Sequence, residues 1–508
     1  MENKMFKKKI IILTIIPLFV LSFVSIFTKL SDFEEKKMRE AMVAGGFYPA
    51  DAVELKDMVD QFLSTAKPPE ITEPIIACIS PHAGYVYSGQ VAAFSYALLK
   101  GRQINRVVVI SPSHVDAFNG VSVYDGDAYV TPLGTVEVDR DFADKLVKED
   151  PIIISSSKGH ETLYQGRGEH ALEVQLPFLQ RVIPGFKLVP IIMGNQNYET
   201  CRSLGKALAK LIDKSKTVIV TSSDLSHFHP YDEAVKLDHK LLNAIQEWDY
   251  FNISRNLRTR VWEACGGGPI VATMIAAEAL GANKARLIKY ANSGDVSYGD
   301  KSSVVGYASI VFYKENQKKS ENEQEFTLTK EEQSELLRIA KNAVEKKVEN
   351  GKTFQVSEEK YQSLLKDRGA FVTLKINGQL RGCIGYTSPV QPLYETVRDV
   401  AISAATRDPR FRPVQKDELS KLSYEISVLS PMRRVIDINT ITIGRDGLMI
   451  KKGIFEGLLL PQVAPEQGWD RTQLLEHTCQ KAGLPPNAWK DKDTDIFAFT
   501  AFVFGEKE

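Results

Sequence analysis

Apolar and polar positions follow two rhythms along this chain, and their alternation divides it into units. Unbroken apolar runs at 75–80, 107–111, 188–193, 218–222 and 303–313 have the length and β-branched content of buried strands. Between them, 55–64, 90–99, 169–179, 204–213 and 269–280 place apolar residues every three to four positions, the period of a helix packed on one face. Strands alternating with helices predict an α/β domain over 41–313 built on a largely parallel sheet. Residues 314–325 (KENQKKSENEQE) hold no apolar side chain, so no burial offsets the entropy of ordering them. They read as a flexible linker that keeps its two flanks at high effective concentration. A smaller α+β domain follows over 326–508. Its predicted strands are 371–376, 423–429 and 448–451, and its predicted helices 330–348, 393–407 and 472–481.

The amino terminus has a pattern of its own. Residues 10–28 carry no charge and follow Lys4, Lys7, Lys8 and Lys9. At about 1.5 Å per residue a helix of that length crosses the ~30 Å hydrocarbon layer. No small-x-small site follows it, so residues 1–40 are expected to be an uncleaved signal anchor and spacer rather than a cleaved leader. The basic start favours soluble domains outside the cytoplasm. Lys29, Lys36, Lys37 and Arg39 just beyond the segment work against that orientation.

Composition narrows the function classes. Lys+Arg and Asp+Glu both number 64, so no net charge recommends nucleic acid as a partner. The five cysteines are odd in number, far apart and never in a CxxC pair, which argues against a disulfide framework or a zinc ribbon.

Three apolar runs end alike, in a turn of small polar residues and then a histidine: IIACISPHAGY with His82, VVVISPSH with His114, and VIVTSSDLSH with His227. Neighbouring parallel strands would deliver these imidazoles to one carboxyl edge, where open α/β sheets bind ligands. Cys265 in EACGGGPI precedes a helix start whose unpaired amides favour the thiolate. Two imidazoles and a thiolate suit zinc, iron or copper, whereas Ca²⁺ or Mg²⁺ would want carboxylates. Asp224 fits a ligand-orienting or proton-shuttling role and equally a helix N-cap. His227 suits a ligand or a general acid–base beside the metal. Glu169, His170 and Glu173 open a predicted helix, where acidic residues are favoured without any chemistry; His170 is placed at the site rim. His160, His229, His239 and His477 read as structural or surface residues. In the second domain, Arg381 two residues before Cys383 in LRGCIGY would lower the thiol pKa and give a nucleophile if the side chains approach. The alternative is a tight strand crossing permitted by Gly382 and Gly385. The arginines of ATRDPRFRPV form an anion-binding loop or a self-paired turn.

AGGFYPAD, SPHAGYVYSG, SPSH, EHALEVQLPFL, SSDLSHF and CGGGP, in that order over 43–313, resemble the Memo family. That resemblance implies a fold similar to class III extradiol ring-cleaving dioxygenases. It also implies iron or copper held by His82, His114 and Cys265, with Asp224 and His227 lining the pocket. Those dioxygenases hold Fe²⁺ with two histidines and a carboxylate, so a thiol in third place means ring cleavage does not follow from the fold. LRGCIGY, AATRDPRFRPV, YEISVLSP, GLLLPQVAPEQGW and EHTCQKAGLP over 326–504 resemble the AMMECR family, which implies a two-subdomain α+β fold. The pairing resembles the AmmeMemoRadiSam system and implies a radical S-adenosylmethionine partner on a separate chain, since no CxxxCxxC is present. The expected function is a metal-dependent, redox-linked oxidoreductase or modification-system component acting on a peptide or small aromatic substrate. The alternative is a metal-binding or peptide-recognition scaffold without turnover.

Overall fold

The computed structural model describes residues 36–315, 327–356 and 361–506. The apolar segment 10–28 and most of the 314–325 linker lie outside these. Among the described residues no helix is long and apolar enough to cross a membrane.

The first unit is built on β1 (Ile75–Ser80), β2 (Arg106–Pro112), β3 (Lys187–Met193) and β4 (Thr217–Ser222), adjacent in the order β1–β4–β2–β3 and parallel throughout. Nearly every residue in these strands is buried, because helices cover both faces. Alternate side chains feed two apolar clusters: Val108, Ile110 and Ile219 on one face, Val107, Val109, Val218 and Val220 on the other. The flanks depart from the parallel expectation. β5 (Lys284–Asn292) and β6 (Val304–Tyr313) form an antiparallel pair whose second strand runs antiparallel to β1, and Val121–Val123 runs antiparallel to β3. A mixed α/β sheet results: its middle four strands are parallel, and at the far edge Val121–Val123 pairs in parallel with Ile153–Ser155. β6 follows β5 through a short connection, with no crossover helix to return it in parallel.

The unit also begins earlier than residue 41. Met38–Arg39 pairs with Ala128–Thr131, and the buried Arg39 guanidinium binds Glu173 at 2.6 Å. The covering helices used below are α1 (Tyr85–Ala97), α2 (Tyr198–Leu211), α3 (Tyr250–Arg258) and α4 (Gly267–Ala279). Asn197 and Asp249 cap α2 and α3 with side-chain acceptors, and α4 is buried along almost its whole length.

In the second unit, α5 (Lys330–Asn350) starts in a Thr329–Glu332 capping box and ends at Gly351 with φ 69°. One antiparallel sheet follows in the order β8–β7–β9–β12–β10–β11. Its strands are β7 (Ala370–Ile376), β8 (Gln379–Tyr386), β9 (Leu422–Leu429), β10 (Asp446–Lys452), β11 (Phe455–Leu459) and β12 (Asp495–Gly505). α5 and α6 (Leu393–Thr406) pack on one end and α7 (Arg471–Lys481) on the other, giving two apolar clusters. Alternation on β12 and β10 decides how the units meet. Ile496, Ala498, Leu448 and Ile450 face the α7 cluster, while Phe497, Phe499 and Met449 join the core of the first unit. The linker therefore connects two docked bodies, not the freely tethered domains its composition suggests.

Candidate metal centre

β1 and β4 end level, with Ser80 opposite Ser222, and β2 lies on the other side of β4. His82 and His114 follow the ends of β1 and β2, so both imidazoles emerge at the same sheet edge. Cys265 arrives from the turn before α4. The Gly266 amide donates to Ser223 Oγ at 3.0 Å, tying that turn to the end of β4. A side chain at Gly266 would collide with the Ser222 carbonyl, so only glycine allows the approach. Ligand atoms of His82, His114 and Cys265 lie within 4.8 Å of one another, and Cys265 Sγ is 3.0 Å from His82 Nε2. Donors each about 2.0–2.3 Å from a common cation are separated by distances in this range.

Hydrogen-bond partners fix the tautomers. The Ser222 hydroxyl donates to the Ala171 carbonyl at 2.5 Å and accepts from Gln175 Nε2 at 2.7 Å. It must then accept from His82 Nδ1 at 2.8 Å, leaving the His82 Nε2 lone pair directed at the sulfur. His114 Nδ1 donates to Glu169 Oε1 at 2.9 Å, and His227 Nδ1 to the Leu225 carbonyl at 2.9 Å. All three rings therefore keep Nδ1 engaged with the protein and offer Nε2. This arrangement orients imidazoles for a metal.

Electrostatics complete the picture. Burial, with His114 adding to it, pushes the His82 imidazolium far down, so that ring is neutral. Burial opposes charge on His114 as well, but Glu169 outweighs it and raises that ring above the ordinary histidine range. Burial works against the Glu169 carboxylate too, yet the His114 donors hold it at about 2. Asp224 accepts from the His82 amide at 2.8 Å, and burial raises its pKa despite that bond. The expectation of a Cys265 thiolate is corrected. Burial and the Asp224 charge push this thiol up, outweighing the amides around it. The sulfur ionises only when a cation takes the proton's place.

His170 lies beside His114 and His82, between the ligand trio and a flanking cavity. Its ring stacks on His114 with centroids 4.6 Å apart, meets Phe47 at a tilt of 30° and 4.4 Å, and lies 5.2 Å from His82. Burial, with His82 next in effect, lowers its pKa to about 3. His114, Glu169 and His170 also converge within 4.8 Å, but Glu169 already accepts from the His114 ring and from the amides of His114, His170 and Ala171. Its oxygens are committed to orienting these residues. Glu169, Ser222 and Gln175 are the site residues that sequence reasoning missed. The Glu–His pair in GEHALEV was the available signal, misread because the helix begins only at Leu176, after a short turn at Glu173–Gln175.

Two cavities flank the cluster. One of about 500 Å³ is lined by His114, His170, Phe47 and the exposed hairpin residues Tyr164 and Arg167. The other, of about 640 Å³, is lined by His227, Gln196, Arg258, Arg260, Trp262 and Glu263.

In the second unit, Arg381 is engaged with Glu418 at 2.9 and 3.0 Å, so its charge is directed there and not at the Cys383 thiol. The Cys383 amide donates to Asp408, and Arg410 pairs with the same carboxylate at 2.7 Å, making the arginine loop a self-paired turn at this residue. Side chains at Gly382 or Gly385 would strike the Ala404 carbonyl or the Phe371 ring, the close strand packing that was the alternative reading of LRGCIGY.

A Memo-like protein family matches residues 39–311, and an AMMECR1 family matches 337–504. A MEMO1 family protein of Methanopyrus kandleri is 38% identical over 285 residues, covering 54% of this chain and 98% of that protein. One from Methanosarcina barkeri is 41% identical over 278 residues, covering 54% and 99%. Among solved structures, an uncharacterized protein from Pyrococcus horikoshii is 42% identical with a TM-score of 0.32, covering 34% of this chain and 90% of that one. The chain therefore belongs to the Memo family and carries an AMMECR1 domain after its Memo domain.

Proposed function

We propose that the Memo domain binds a redox-capable cation, iron or copper with zinc as a further candidate, through His82, His114 and Cys265, and works as a metal-dependent oxidoreductase. The observation that carries this reading is three converging donors with both imidazole Nδ1 atoms held by the protein. When bound, such a cation supplies Lewis acidity and one-electron chemistry. The residues around it supply the rest. Cys265 releases its proton on binding, and the buried Asp224, 3.9 Å from His82 Nε2 and hydrogen-bonded to the Cys265 neighbourhood through its amide, is placed to take it. His227, with Nδ1 on a carbonyl and Nε2 free, acts as general acid–base at the mouth of its cavity. The Phe47 and Tyr164 side of the other cavity suits a small aromatic or peptide side chain.

Extradiol-dioxygenase ancestry of the fold, a radical S-adenosylmethionine partner and a membrane anchor at 10–28 belong to the same proposal. They rest on the family pairing and on the amino-terminal sequence pattern. Cys383 remains a candidate nucleophile in the AMMECR1 domain, without help from Arg381, whose guanidinium is held by Glu418. The test of the metal centre is metal content after anaerobic loading with Fe²⁺, Cu⁺ or Zn²⁺. The wild type should hold one equivalent, and His82→Ala and Cys265→Ala should each lose it; full retention in both overturns the reading. Oxygen uptake with catechols or peptides then separates turnover from a scaffold that only binds metal.

A further inference from the structure

Among the first unit's helices, α3 has an unusual position. One side of it lines the cavity next to His227, through Ser254, Leu257 and Arg258. The other side is held by the second unit. Tyr250 and Phe251 pack on Phe497, with ring centroids 6.2 and 5.0 Å apart. Asn252 accepts from the Ser388 hydroxyl at 3.2 Å, and Asn256 donates to the Pro389 carbonyl at 3.1 Å. The chain leaving α3 turns at Arg260 with φ 58° and runs through Trp262 and Glu263 directly to Cys265. Beside α3 the contact is anchored by a buried charge cluster. Asp495 of β12 binds Arg202 of α2 at 2.5 Å and Arg434 of its own unit at 3.0 Å, and accepts from Tyr198. If the bodies part, Asp495 keeps Arg434 while Arg202 loses its carboxylate partner.

We infer that the AMMECR1 domain is a constitutively docked part of the Memo domain's working site, setting the position of α3 and hence the cavity wall and the approach to Cys265. Its role toward the metal centre is that of a positioning element, and this importance rests on the metal-site reading above. The docking itself does not. The relatives from Methanopyrus kandleri and Methanosarcina barkeri are covered almost end to end by the Memo half alone. In this chain the apolar face of β10 and β12 has its partner built in, with Phe497 and Phe499 fully buried against the first unit.

The experiment is a full chain carrying a protease site within residues 316–326. After cleavage the halves should co-sediment at micromolar concentration. Asp495→Ala in the cut chain should weaken the pair roughly 100-fold or more. Hydrogen exchange reads the coupling: once the halves part, amides of α3 and residues 259–265 should exchange at least roughly 10-fold faster while β1–β4 stay protected. A dilution series of the cut wild-type chain gives the same comparison without any substitution. Separation of the wild-type halves at micromolar concentration, or unchanged α3 protection after they part, overturns the inference. Metal content measured on the same samples reports on the metal centre separately, so failure of one reading is distinguishable from failure of the other.

Discussion

At the scale of single residues, Glu169 shows how much of the site depends on a group that need not touch a metal. Its carboxylate accepts from the His114 ring and from three backbone amides, all from residues that carry or flank candidate ligands. Glu169→Gln keeps the shape but turns an NH₂ toward at least one of those donors. We expect about 1–3 kcal/mol lost in stability and metal affinity lowered roughly 10–100-fold, read by denaturant unfolding and chelator competition. Unchanged affinity would mean that His114 needs no orienting partner. His160 answers a different question. It lies in the network of Tyr129, Ser122 and Arg39, and burial lowers its pKa from 6.5 to about 3. Between those pH values the unfolded chain binds a proton that the folded chain refuses, so stability falls on acidification by roughly 1.4 kcal/mol per pH unit from this group. His160→Gln removes the term, and the stability gap between wild type and variant should narrow as pH drops from 6.5. A gap independent of pH would contradict the assignment. His82, His114 and Cys265 were legible because each ends a strand or opens a helix with small residues around it. Glu169 was not, because its role depends on a contact across more than fifty residues of chain, and its local sequence satisfies a helix start equally well.

Elements were legible where pattern and packing agree. IIACIS, VVVIS and VIVTS are apolar throughout because both faces are covered, and the structure puts all three in the parallel centre of the sheet. Direction at the flanks was not legible: a buried apolar run such as Val304–Tyr313 reads the same whether it lies parallel or antiparallel to its neighbour. The strand β8 makes the same point about motifs. LRGCIGY suggested chemistry, yet Gly382 lies where a Cβ would meet the Ala404 carbonyl of α6. Gly382→Ala should therefore force β8 and α6 apart and destabilise the AMMECR1 domain by about 1–3 kcal/mol, seen as a lowered unfolding midpoint. A neutral outcome would show that the packing of β8 on α6 does not require glycine at this position.

For the whole molecule, the linker was legible from composition and the docking was not. Phe497, Phe499 and Met449 alternate along their strands like any inward-facing residues, so no pattern distinguishes a face turned to its own core from one turned to a neighbour. Interface charges give a sharper test of the docking than apolar contacts, since their environments differ. Arg368 clasps Glu247 across the units with bonds of 2.8 and 2.7 Å, and its side chain is only 10% exposed. Arg255 and Glu456 meet at 3.4 Å with side chains 39% and 37% exposed. Water screens the second pair and not the first. Double-mutant cycles on the intact chain should give a coupling of about 1–2 kcal/mol for Arg368 with Glu247 and less than about 0.5 kcal/mol for Arg255 with Glu456. The inner coupling should survive added salt while the outer one fades. Because both pairs span the same interface, equal couplings would mean that the two bodies are not held in this register in solution, and α3 would then have no fixed support.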